Sequence, residues 1–278
     1  MENSDFRADL HCHSTFSDGS DTPLELLKKA RDASLSGLSI TDHDTIGAYT
    51  PDFFAAAEGL GIQILPGIEL SSELGDTTVH ILGYGFDLAS TSFASFLREM
   101  QVRRTDRNRA LITKLSQRNM PISEEELVAF ARKHEVQKTI GRPHIAELMV
   151  QKGYIKSRQE AFERYLREGS LCYVSGFKFT PLEAIEEIHK ARGKAVFAHP
   201  HFLKTGSFLR QLLALPFDGI ECYYANLPFD LEARWLQIAK EHHWIATGGS
   251  DYHGVFKPHI SLGCSWVGES TFDALKLC

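Results

Sequence analysis

The chain has 278 residues, 43% hydrophobic and 24% charged, which suits a soluble globular protein with one large domain or a domain carrying an insertion. A net charge of −6 argues against a surface that coats long nucleic acid by bulk electrostatics. No apolar run approaches the roughly 20 residues that span a bilayer.

Five scattered cysteines without a CxxC pair argue against a disulfide framework and against a thiolate zinc site. The first residues, Met1-Glu2-Asn3-Ser4-Asp5, lack the basic-then-apolar order of a signal peptide. The cytoplasm is therefore the expected location, with no membrane and no obligatory protein partner. One count stands out: 13 histidines, many beside Asp, Glu or another His.

In chain order, short apolar runs at 6–10, 37–41, 62–65, 78–82, 195–198, 219–223 and 244–247 read as strands. The third candidate runs on through Gly67-Ile68-Glu69-Leu70. Thr22-Pro23 places an N-cap and a first-turn proline before a helix over 24–33, and Thr180-Pro181 repeats the device before 182–192. Such alternation predicts βα units with a largely parallel sheet, open or closed into a barrel. The rhythm breaks between residues 90 and 175, where 93–116, 123–134, 143–152 and 159–167 read as helices. Residues 1–89 and 176–278 are thus expected to form one α/β domain, and 90–175 a helical insertion capping it.

The chemistry-bearing residues recur at strand ends. His11 and His13, at i and i+2 on an extended segment, point to one face and can reach one ion. Taken alone, that pair is more often just two histidines at a strand edge. Recurrence changes the balance: Asp18, His43, Glu69, His80, His199, Asp251 and His253 also lie within or just after apolar strands. In βα architectures the strand ends share one face, where active sites belong. A mixed imidazole and carboxylate set suits manganese, iron or zinc. Nine side chains exceed the needs of one ion, so two or three divalent ions are expected, with Glu69 as a bridge.

The series His11-Cys12-His13, Ser17-Asp18-Gly19, Thr41-Asp42-His43-Asp44, Pro66-Gly67-Ile68-Glu69, His80-Ile81-Leu82-Gly83-Tyr84, Ala198-His199-Pro200 and Gly249-Ser250-Asp251-Tyr252-His253 resembles the motifs of the PHP (polymerase and histidinol phosphatase) family. Gly141-Arg142-Pro143-His144-Ile145-Ala146 resembles the insertion of its TrpH-like subgroup. The resemblance implies a distorted (β/α)7 TIM-like barrel with a helical insertion, and three metal ions. By motif, His11, His13, Glu69 and Asp251 would hold one ion, and His80 and His199 a second bridged through Glu69. Asp18, His43 and His253 would hold the third. It further implies action on nucleotides: 3′-phosphate removal from nucleoside 3′,5′-bisphosphates, or 5′→3′ hydrolysis of short RNA.

A divalent ion lowers the pKa of its water toward 7, so such a cluster can supply hydroxide to a phosphate ester. His201, two residues past His199, is a candidate for protonating the leaving oxygen or hydrogen-bonding the phosphate. Asp42 and Asp44 are candidates for orienting ligand imidazoles or for turn capping. Cys12 should face away from the ligands as a small buried residue.

Substrate contacts are expected from the insertion. Arg103 and Arg107 share a helix face with Lys114, and Arg104 lies beside it; a solvated face is the alternative. Arg142 and His144 are better candidates for a second phosphate, and Lys178 a weaker one. His134, His189, His242, His243 and His259 show no partner pattern and read as surface or helix-end residues. Histidinol phosphate is a competing substrate, but it leaves the arginine-rich insertion without a purpose. A non-catalytic metal-binding module, or a polymerase-associated one, is the reading from a different class.

Overall fold

The computed structural model describes residues 5–133, 136, 139–176, 178–203 and 206–276, so His134 lies outside the described residues. The chain opens with β1 (Ala8–Cys12), α1 (Pro23–Asp32), β2 (Gly37–Ile40), α2 (Pro51–Gly59) and β3 (Gln63–Ile64). These three strands pair in parallel in the order β1-β2-β3. Thr22 and Glu25 form a capping box ahead of α1, which buries Pro23, Leu26, Leu27 and Ala30.

β4 (Gly67–Leu74) and β5 (Thr77–Tyr84) then form an antiparallel hairpin, turning at Gly75 with φ +61°. Four helices follow: α3 (Thr91–Ser116), α4 (Glu124–Lys133), α5 (Arg142–Gln151) and the short α6 (Arg158–Ala161). The last helix expected from sequence, 159–167, winds instead as α6 followed by a π-helical turn over Phe162–Leu166. The alternating pattern returns with α7 (Pro181–Lys190), β6 (Lys194–Phe197), α8 (Ser207–Leu213), β7 (Gly219–Tyr224), α9 (Phe229–His242), β8 (Ile245–Gly249) and α10 (Glu269–Ala274).

The α/β class is as expected, but no closed barrel is found. The described strands fall into two sheets, β1-β2-β3 and β4-β5-β6-β7-β8. The run expected as one strand is split at Pro66 between β3 and β4, which lie in different sheets. Both β4–β5 and β5–β6 are antiparallel, which departs from a βα repeat. Single-residue bridges join the sheets among the described residues, Cys12 to Tyr252 and His43 to Glu69.

α3 spans two packing regions. Phe93, Phe96, Leu97 and Met100 pack with the five-stranded sheet and α7. Leu111, Ile112 and Leu115 join a separate cluster drawn from residues 111–172. Arg104 and Arg107 lie between those two anchors.

Candidate metal centre

Strand geometry brings the nine predicted residues together. Glu69 is central. Its Oε2 lies 3.1 Å from His13 Nε2, 3.2 Å from His43 Nδ1 and 3.4 Å from His11 Nε2. Its Oε1 lies 2.8 Å from both His80 Nδ1 and His199 Nε2. Asp251 Oδ1 reaches His13 Nε2 at 3.3 Å and His11 Nε2 at 3.5 Å. Asp18 faces His253 Nε2 at 3.4 Å and His43 Nε2 at 3.7 Å.

Three overlapping groups have donor atoms within 4.8 Å of one another: His11, His13 and Glu69; His13, Asp18, His43 and His253; and His43, Glu69 and His80. His13 thus stands nearer the Asp18 group than the motif assignment suggested. His199 and Asp251 fall outside these groups but touch the same Glu69 and His11–His13 pair.

The donors fit divalent cations. His11 Nε2, His13 Nε2, Asp18 Oδ1 and His43 Nδ1 are buried without a hydrogen-bond partner. Buried polar atoms are normally satisfied, and four converging exceptions are what cations would complete. The set holds imidazoles and carboxylates and no thiolate.

Electrostatics follow from crowding. Burial pushes the Glu69 carboxyl up, yet His43, His80 and His11 hold it well below the usual range. Asp18 is depressed in the same way, against burial, by His43 and His253, and Asp251 by Lys257 first and then by His11 and His253. His43 is pushed down to about 3 by burial, which outweighs Glu69 and Asp18. Its neighbour His13 rises to about 9, because Asp251 and Glu69 outweigh burial.

A surrounding layer fixes these side chains. Buried Glu221 accepts from His11 Nδ1 at 2.8 Å and from the His199 backbone N–H at 2.7 Å. The first contact turns the His11 Nε2 lone pair toward the cluster. Asp42 accepts from the Ser14 backbone N–H at 2.8 Å and the Ser17 hydroxyl at 2.5 Å, pinning the loop before Asp18. Asp44, with φ +55°, pairs with Arg104 and accepts from the Ser71 N–H at 2.7 Å. Cys12 is fully buried, with its thiol turned to the Ser39 carbonyl. Tyr224 donates to Asp251 Oδ2 at 2.6 Å.

A cavity of about 310 Å³ opens beside Asp18, His43, His80 and His253, and the same cavity is lined by Arg104, Arg107, Arg142 and Lys178. Arg107 is buried, and its Nε has no partner. Burial, with Arg104 and Arg142 alongside, pushes its pKa down. Arg142 donates to the Leu166 carbonyl at 3.1 Å. Lys178 donates to the Thr78 hydroxyl at 2.6 Å, and burial beside Arg142 and Arg107 lowers its amine to about 7.

Of the predicted substrate residues, Arg107, Arg142 and Lys178 line this cavity, and Arg103 and His144 do not. Arg103 pairs with Glu99 at 2.7 Å and covers the Phe179 ring at 3.7 Å. His144 is buried, and its Nδ1 accepts the Gly141 N–H at 2.9 Å, so it caps its own helix. His201 also stands outside the cavity, packed on Phe202 and Tyr224. Of the histidines without a partner pattern, His189 meets Asp218 at 2.8 Å. Sequence reasoning missed Arg158, Lys257 and Glu221. It placed Arg104 beside the helix face that mattered, although its i, i+3 spacing to Arg107 already pairs the two.

An α/β fold that gathers histidines and carboxylates around unpartnered donor atoms, next to a cationic cavity, defines a metal-dependent hydrolase of anionic esters. The PHP domain model matches residues 9–208. A 5′-3′ exoribonuclease of Haemophilus influenzae is 32% identical, over 93% of this chain and 91% of the relative. A 3′,5′-nucleoside bisphosphate phosphatase of Chromobacterium violaceum is 33% identical, over 88% of this chain and 86% of the relative. A crystal structure from Bifidobacterium adolescentis, described as a metal-dependent phosphoesterase, superposes with TM-score 0.84 at 31% identity. It covers 99% of this chain and 96% of its own. The chain belongs to the PHP family and is a metal-dependent phosphoester hydrolase.

Proposed function

We propose that this enzyme hydrolyses phosphate esters of small nucleotides, removing the 3′-phosphate of nucleoside 3′,5′-bisphosphates and cutting short oligoribonucleotides from a 5′-phosphorylated end. One observation carries the reading: a single cavity of about 310 Å³ is bordered both by the histidine–carboxylate cluster and by the cations Arg104, Arg107, Arg142 and Lys178. That volume lies at the lower end of the roughly 300–1,000 Å³ usual for small-molecule sites. A simple monoester such as histidinol phosphate gives the cationic group nothing to bind.

Three divalent ions, of manganese, iron or zinc, are proposed. His11, His13, Glu69 and Asp251 would hold the first, and His80 and His199, with Glu69, the second. Asp18, His43 and His253 would hold the third, with His13 close enough to share. When bound, the ions supply a water activated near neutral pH and neutralise charge on the phosphate. The chain's own groups do the rest. Arg107, Arg142 and Lys178 bind the second phosphate, and Asp44 aims Arg104 beside them. His201, beside His199 and pushed down to about 4 by burial, is the group to hydrogen-bond the scissile phosphate or protonate its leaving oxygen. Residues 90–175 act as the cap that carries the arginines.

The test is phosphate release from adenosine 3′,5′-bisphosphate, a 5′-phosphorylated dinucleotide, histidinol phosphate and p-nitrophenyl phosphate. Arg142→Ala should raise KM for the bisphosphate about tenfold or more, the loss of a hydrogen bond to a charged group, with much less change for p-nitrophenyl phosphate. Turnover confined to histidinol phosphate, or an equal effect on both substrates, contradicts the reading.

A further inference from the structure

Phe202 occupies an unusual place. Pro200–Phe202 form one 3-10 turn directly after His199, whose backbone is held at φ +26°. The Phe202 ring lies 5.4 Å from the His199 ring and 5.5 Å from that of Tyr224, nearly perpendicular to the latter at 86°. His201 fits between them, 4.2 Å from Phe202 and 4.4 Å from Tyr224. Tyr224 is itself anchored through its hydroxyl on Asp251.

Despite this support Phe202 is 64% exposed. An exposed Phe alone means little, because apolar atoms make up much of any protein surface. Position is what separates this one from the others. His80 lines the cationic cavity, while His199, His201, Phe202 and Tyr224 do not. His80 Nδ1 and His199 Nε2 are only 3.4 Å apart. The His80–His199 pair therefore has the cavity at one end and a fixed aromatic ledge at the other.

We propose that Phe202 is a stacking platform for the nucleobase on the far side of the scissile phosphate of an oligoribonucleotide. This deepens the function proposed above and rests on it, since it takes the cavity to hold the terminal 5′-phosphate. With that phosphate beside Arg107 and Arg142 and the scissile one at the cluster, the next nucleotide passes His199 and lies over Phe202. A nucleoside 3′,5′-bisphosphate ends at the scissile phosphate and reaches no ledge. A phenyl ring carries no hydrogen-bonding group, so the platform accepts any base.

The experiment uses the metal-loaded enzyme and three substrates: a nucleoside 3′,5′-bisphosphate, a 5′-phosphorylated dinucleotide, and that dinucleotide with its second nucleotide abasic. Phe202→Ala should raise KM for the intact dinucleotide roughly tenfold and leave the other two within about twofold, as loss of one base stack predicts. Phe202→Trp should restore wild-type behaviour. An equal rise on the bisphosphate, or an unchanged KM for the dinucleotide, overturns the platform. Wild-type enzyme that cleaves the bisphosphate but not the dinucleotide also overturns it while sparing the phosphatase reading. Cleavage of neither nucleotide, with histidinol phosphate turned over, overturns the functional reading itself.

Discussion

Lys178 shows how one side chain records its surroundings. Its amine, desolvated beside Arg142 and Arg107, is lowered from 10.5 to about 7. Between these values the unfolded chain keeps a proton that the folded chain has lost, so this group makes stability rise with pH across that window. Below the lower value both states are protonated and the slope vanishes. Lys178→Met should remove this slope. Urea midpoints compared at about pH 7.5 and 9.5 should show wild type gaining on the variant, and parallel changes in the two proteins would contradict the assignment. The sequence marked Lys178 only weakly, because its environment comes from α3 and α5, far away in the chain. Arg103 shows the converse: charge on the expected face, yet spent on Glu99 and Phe179.

Elements rather than single residues position the centre. Glu221, on β7, ties His11 on β1 to the His199 backbone just after β6. Glu221→Gln keeps the shape and removes the charge. Metal affinity should fall by about 10- to 100-fold in competition with a chelator, and unchanged affinity would show that His11 needs no such partner. Most elements were legible. Thr22-Pro23 and Thr180-Pro181 announced α1 and α7, and the ligands at strand ends stood out because polar residues interrupt apolar runs at regular places. The same Thr-Pro signal at Thr50-Pro51 marks α2 and was passed over. α9 begins at Phe229 after Pro228, without a side-chain cap, so its start carried no such signal. Glu221 was invisible for a different reason. Inside the apolar strand Gly219–Tyr224 nothing local says which distant imidazole a buried carboxylate will meet.

At the scale of the molecule, the strands supply the donor cluster and the helices between β5 and β6 supply most of the cations, so the cavity exists only when both are assembled. α3 joins them by packing one half on the large sheet and the other on the helical cluster. Among the described residues the strands form two sheets and no closed barrel is found, and ring closure was not legible because it depends on long-range pairing that no local pattern encodes. Two sheets linked by single bridges still bring the strand ends to one face. Among the described residues no helix is long and apolar enough to cross a membrane. The proposed dependence of phosphoester hydrolysis on a cluster of several ions ties the strands, helices and cavity together. It is tested most directly by stripping the protein with a chelator, returning manganese, iron or zinc in counted equivalents, and following phosphate release from adenosine 3′,5′-bisphosphate. Activity should keep rising beyond one equivalent and level off near three, with little release from Asp251→Asn or His43→Ala at any loading. Full activity at one equivalent, or undiminished activity with none, would contradict it.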